Sequence, residues 1–176
     1  NVVDSLDVGR DGATGRFFTV QEFLVGRTLY DFLERRDAPL PVPDAADILL
    51  PIVDAIACAH EAGVVHRDLK PENIFLADTP DGVAPKVLDF GIAQLSDARL
   101  TAAADIMGTP TYMAPECFMD ARRVGPGADV WALGVILYQL VSGKAPFGQT
   151  ATTLLGIMTE IATRDPPSLA ERGIMA

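Results

Sequence analysis

In the stretch Gly63-Val64-Val65-His66-Arg67-Asp68-Leu69-Lys70-Pro71-Glu72-Asn73, two polar side chains, Asp68 and Asn73, bracket a lysine, Lys70. Phosphoryl transfer needs three things: a group that orients the attacking hydroxyl, a cation beside the moving phosphoryl group, and oxygen ligands for a hard divalent ion. Asp68, Lys70 and Asn73 supply them in that order. Any one of the three alone reads as part of a polar turn between a helix and a strand. The complete run from His66 to Asn73 does not. A second carboxylate, Asp89, follows at the end of a predicted strand with Phe90 and Gly91 behind it.

These residues need a frame. Residues 2–8 and 16–25 have β-like composition and are joined by the turn cluster Gly9-Arg10-Asp11-Gly12, so they predict a hairpin. After Gly26 the period changes, and Leu29, Phe32 and Leu33 give a short helical face. The next helix is predicted from Asp44 as its cap, with Ile48, Leu49, Ile52, Val53 and Ile56 on one face. Pro51 predicts a kink or a late start there, and Gly63 a stop. Short strands over 74–76 and 83–88 flank the candidate site. Residues 96–123 read as loop. The segment 129–141 is apolar almost all round, which predicts a buried helix, and residues 150–162 predict a further amphipathic one. Strands come early and helices late, so the expected class is α+β.

Composition narrows the function. The 176 residues carry 14 Lys and Arg against 24 Asp and Glu, a net charge of −10. A nucleic-acid binder needs a basic footprint, so that class is disfavoured. The two cysteines, Cys58 and Cys117, form no CxxC or Cys/His cluster, which excludes a disulfide scaffold or a structural zinc site and fits a reducing compartment. No apolar stretch is long enough to span a bilayer, and no signal peptide is visible.

The segment around Asp68 resembles the catalytic loop of eukaryotic-type Ser/Thr protein kinases in their bacterial-like form. Other stretches agree in order and spacing. Asp89-Phe90-Gly91 matches the DFG motif, and Gly108-Thr109-Pro110-Thr111-Tyr112-Met113-Ala114-Pro115-Glu116 matches the end of the activation segment. Asp129-Val130-Trp131-Ala132-Leu133-Gly134 matches the helix that anchors the catalytic loop, and Gln21-Glu22-Phe23-Leu24-Val25-Gly26 looks like the hinge between lobes. The resemblance implies a kinase-like α+β fold: residues 1–20 a remnant of the small lobe, 21–26 the hinge, and 27–176 the helical large lobe, incomplete at its end.

The resemblance also implies roles. Asp68 would be the catalytic base, and Lys70 would contact the γ-phosphate of ATP. Asn73 and Asp89 would hold Mg²⁺, and Thr109 would bridge Asp68 and Lys70. The Glu22 carbonyl and the Leu24 amide would read the adenine edge above Phe75. His66 and Phe90 would be packing elements, and Glu116 would pair with an arginine that the chain does not reach. Asp129 would accept hydrogen bonds from catalytic-loop amides, compatible with capping its helix. Arg67 would meet a carboxylate at Asp105, or a phosphate on Thr101. The implied partners are ATP and a protein carrying Ser or Thr. The implied location is the cytoplasm, free or as the inner part of a membrane-tethered protein.

Three features of a complete family member are missing: a Gly-rich loop, a strand lysine, and a helix glutamate paired with it. The chain therefore reads as the middle of a kinase domain. A pseudokinase that binds without transferring stays open as the alternative. A small-molecule phosphotransferase would lack the segment ending in Glu116.

Overall fold

The computed structural model describes residues 1–36, 38–90, 110–119, 124–151 and 153–174. Thr101, Asp105, Gly108 and Thr109 lie outside the described residues.

An antiparallel ribbon comes first, β1 (Ser5–Arg10) paired with β2 (Phe17–Gln21) in the register Arg10↔Phe17. β1 runs on through Gly9, which the sequence placed in the turn. Gly9 lies opposite Phe18, whose ring leaves no room there for a side chain. The turn is instead closed by Asp11, whose Oδ1 accepts the Thr14 hydroxyl and amide. Leu6, Val8 and Phe17 are exposed on this ribbon.

A second sheet, in the order β3-β4-β5, comprises β3 (Gly26–Thr28), β4 (Ile74–Thr79) and β5 (Gly82–Val87). β3 was not foreseen. Its first residue, Gly26, has φ +144°, and a Cβ there would stand 2.1 Å from the Leu76 carbonyl oxygen, so only glycine permits the pairing. The short helix α1 (Leu29–Glu34) follows, capped by the Thr28 hydroxyl.

Helix α2 (Val42–Glu61) starts two residues before Asp44, which therefore sits in the first turn rather than at the cap. The late start is not found, since the helix begins at Val42 and continues through Pro51. Leu49 and Ile52, on either side of Pro51, are buried in the core shared with the later helix Pro126–Ser142, so tertiary packing outweighs one lost backbone bond. At the other end, Gly63 (φ +77°) donates to the His60 carbonyl and Val64 to the Ala59 carbonyl, a Schellman closure.

After a short α3 (Pro115–Met119), helix α4 (Pro126–Ser142) packs against α2. The expectation of burial all round is corrected here. Ala132, Leu133, Ile136 and Leu140 are buried, but Val130 is 61% exposed and Leu137 is 41% exposed. Apolar composition does not say which side a neighbour will cover. The cap is Gly125, not Asp129. Trp131 stacks on Phe147 with centroids 5.8 Å apart.

Helix α5 (Leu154–Thr163), capped by Thr153, is tied down by Glu160. Its carboxylate accepts the Thr150 hydroxyl (2.7 Å) and the Gly148 amide (2.8 Å), with Arg164 at 3.5 Å. The Thr150 hydroxyl first, then the Gly148 amide, holds the carboxyl below its ordinary value. A carboxylate so depressed contributes stability that is present above its unfolded-state value and lost as pH falls through the folded one. Glu160→Gln should therefore melt below wild type at neutral pH. The gap should start to close near pH ~4.3 and vanish below the folded-state value. A gap that stays constant across that acid range, followed by thermal melting, would contradict the anchoring role.

Candidate active site

The loop between α2 and β4 is held from behind by one buried carboxylate. Asp129, 1% exposed, accepts the His66 amide on Oδ2 (2.8 Å) and the Arg67 amide on Oδ1 (2.8 Å). His60, on the last turn of α2, meets the same Oδ2 through Nε2 at 2.8 Å. Asp129 thus joins α4, the end of α2 and the loop at one point. It fixes Arg67 at φ +67°, a left-handed conformation that a non-glycine residue adopts only when its surroundings impose it. The next residue is Asp68.

Asp68, Lys70 and Asn73 come together. The Lys70 ammonium donates to both Asp68 carboxylate oxygens, at 3.0 and 3.2 Å. Asn73 Nδ2 donates to the Asp68 backbone carbonyl at 2.7 Å and lies 3.3 Å from Asp68 Oδ2. The 3₁₀ turn Pro71–Asn73 returns the chain to β4 and brings Asn73 back toward its starting point. The Asp68 side chain remains 42% exposed, open to an incoming hydroxyl.

The segment that leaves β5 and carries Asp89 is bonded to the same loop. Leu88 N–H donates to the Asn73 carbonyl at 2.8 Å, and the Leu88 carbonyl lies 2.9 Å from His66 Nε2. Because the Asp68 amide approaches His66 Nδ1 at 3.3 Å, Nδ1 is the acceptor and Nε2 the donor. His66 is 2% exposed and packs edge-on against Phe90 at 4.9 Å, so both act as packing elements. Asp89, immediately after Leu88, takes φ +56°, the second left-handed non-glycine residue of the described chain.

Asn73 and Asp89 carry the kind of oxygen donor that Mg²⁺ takes, and the Leu88 N–H bond to the Asn73 carbonyl ties together the two segments that carry them. The Asn73 NH₂ is engaged by Asp68, and among the described residues none donates to its Oδ1. Phe75 sits on β4 opposite Thr28 and Lys86. Among the described residues, neither the Glu22 carbonyl nor the Leu24 amide is taken by a hydrogen bond.

Sequence reasoning passed over three residues here. His60 clamps Asp129, and its only local signal was its place at the end of a helix. Lys86 pairs with Glu22 from 64 positions away. Tyr112 donates to Gln139 Oε1 at 2.6 Å, and burial pushes its hydroxyl well above the usual phenol range.

Comparison with known proteins agrees with this geometry. Residues 1–168 match the family described as the protein kinase domain. The chain is 42% identical over 172 residues to the serine/threonine-protein kinase Pkn1 of Myxococcus xanthus, covering 96% of this chain and 24% of that protein. It is 39% identical over 182 residues to pkn3 of the same organism, covering 98% and 32%. With PknL of Mycobacterium tuberculosis it shares 37% over 162 residues, covering 92% and 38%. The chain belongs to the protein kinase domain family. It spans between a quarter and two fifths of the length of these curated relatives.

Proposed function

We propose that the full-length protein transfers the γ-phosphoryl group of ATP to serine or threonine hydroxyls of protein substrates. The observation that carries this reading is the convergence of Asp68, Lys70 and Asn73 on one loop, hydrogen-bonded to the segment that delivers Asp89. The relatives' names as serine/threonine kinases support it.

Each residue has a physical task. The Asp68 carboxylate accepts the hydroxyl proton as a bond forms between that oxygen and the γ-phosphorus, while the bond from that phosphorus to the β,γ-bridging oxygen breaks. The Lys70 ammonium, three donors on one cation, leans from Asp68 toward the charge on the transferred group. Asn73 Oδ1 and the Asp89 carboxylate hold Mg²⁺, which, when bound, neutralises phosphate charge. The Glu22 carbonyl and the Leu24 amide pair with the adenine edge, and Phe75 lies beneath the ring. Thr109 bridges Asp68 and Lys70 in this reading. A binding scaffold has no physical need for Asp68, Lys70, Asn73 and Asp89 together.

The test is phosphate transfer by the full-length protein to a generic acceptor protein, followed by identification of the phosphorylated amino acids. Phosphoserine or phosphothreonine is expected. Asp89→Asn should slow transfer roughly 10²–10³-fold and raise the Mg²⁺ concentration needed for half-maximal rate. Near wild-type rate and unchanged metal dependence in Asp89→Asn would contradict the assignment.

A further inference from the structure

We propose that Lys86 is a positioning residue for the nucleotide: locked onto Glu22, it fixes the 22–25 connection beside Phe75 and so sets the affinity for ATP. This rests on the kinase reading above and extends it to a side chain that touches neither Asp68, Lys70 nor Asn73.

The Lys86 ammonium donates to Glu22 Oε1, and the same oxygen accepts the Asp4 amide at 2.9 Å. The Glu22 amide in turn donates to the Asp4 carbonyl at 3.0 Å. Glu22 is therefore pinned by side chain and backbone together. The Lys86 and Glu22 side chains are 22% and 25% exposed, which separates this pair from solvent-swept surface ion pairs of little consequence. The Lys86 hydrogen bond, ahead of the Asp4 amide, holds the Glu22 carboxyl below its usual range.

Both ends of the pair are themselves anchored. The segment before Glu22's partner Asp4 lies along β5: Asn1 Nδ2 donates to the Pro85 carbonyl (2.8 Å), Val87 N–H to the Asn1 carbonyl (2.8 Å) and Val3 N–H to the Val87 carbonyl (3.0 Å). The far end of the connection is held where Asp78 N–H donates to the Val25 carbonyl at 2.8 Å. Between these anchors stand the Glu22 carbonyl and the Leu24 amide, the two groups that read adenine. Lys86 and Phe75 are directly opposed on β5 and β4, and opposed residues share a face of the sheet. The cation that holds the reading groups thus rises from the same face as the ring beneath them.

An arch fixed at both ends loses little freedom when a ligand arrives, and such preorganisation appears as affinity. Releasing one anchor should weaken nucleotide binding and leave the chemistry alone. In the full-length protein, Lys86→Met should raise the KM for ATP roughly five- to tenfold, with kcat within about twofold of wild type. Lys86→Arg, which keeps the charge and the donors, should restore KM, and the exchange Glu22→Lys with Lys86→Glu should recover most of it. An unchanged KM, a loss confined to kcat, or a Lys86→Arg enzyme as impaired as Lys86→Met overturns the proposal. Calorimetric ATP binding by the same variants separates it from the kinase reading. A wild type that binds ATP without transferring phosphate, and binds it roughly tenfold more tightly than Lys86→Met, upholds Lys86 and removes the kinase reading. Equal binding by wild type and variant, with transfer intact, removes Lys86 alone.

Discussion

Replacing Asp129 with alanine should destabilise the fold by roughly 3–5 kcal/mol and abolish phosphate transfer. The carboxylate accepts three hydrogen bonds in a place 1% exposed, from the His66 and Arg67 amides and from His60. Its removal leaves the buried His66 amide, and the part-buried Arg67 amide and His60 imidazole, without this partner, at about 1–3 kcal/mol for a fully buried donor and less where water enters. The cavity adds to this. With the His66 and Arg67 amides released, the loop around Arg67, held at φ +67°, should relax and carry Asp68 away from Lys70 and Asn73. Asp129→Asn keeps the volume but offers one acceptor where two are used, and should fall between. The check is the urea unfolding midpoint of the full-length protein beside its transfer rate. An Asp129→Ala protein with an unshifted midpoint and a rate within a few-fold of wild type would contradict the clamp.

The catalytic loop was legible because its chemistry lies within a few residues of chain. A six-residue span from Asp68 to Asn73 folds back on itself, so spacing along the sequence is nearly spacing in the structure. Asp129 was legible only through the resemblance to a known family, since its partners lie 62 and 63 positions away. His60 was not, because a histidine near a helix end faces the loop or solvent according to a helix phase that the sequence leaves open. The Glu22–Lys86 pair depends on the register of β5 and on how residues 1–4 run beside it, neither of which a local pattern encodes. β3 is three residues long, too short to show alternation. Helix α4 misled for a related reason. Its apolar residues are real, but only one of its faces finds the α2 side of the core, and Val130 and Leu137 point elsewhere. Pro51 misled in the opposite direction, since local propensity allowed a late start, whereas the helix begins at Val42 and runs through Pro51 with Leu49 and Ile52 buried beside it.

The second large effect is expected at Asp68. The carboxylate is held by the Lys70 ammonium at 3.0 and 3.2 Å and by Asn73 Nδ2, while 42% of the side chain stays open to a hydroxyl. Asparagine keeps the shape and can still accept from Lys70, but it cannot take a proton. The proposed nucleotide contacts lie with Glu22, Leu24, Phe75 and the proposed metal ligands, so binding should survive the change. A general base of this kind contributes roughly 10²–10⁴ in rate. The direct measurement is single-turnover transfer of labelled γ-phosphate from ATP to an acceptor protein by full-length wild type and Asp68→Asn, with ATP affinity measured on both. The account predicts phosphoserine or phosphothreonine from wild type, a rate reduced roughly 10²–10⁴-fold in Asp68→Asn, and ATP affinities within about threefold of each other. Transfer by Asp68→Asn at near wild-type rate, or no transfer by a wild type that binds ATP, would contradict it.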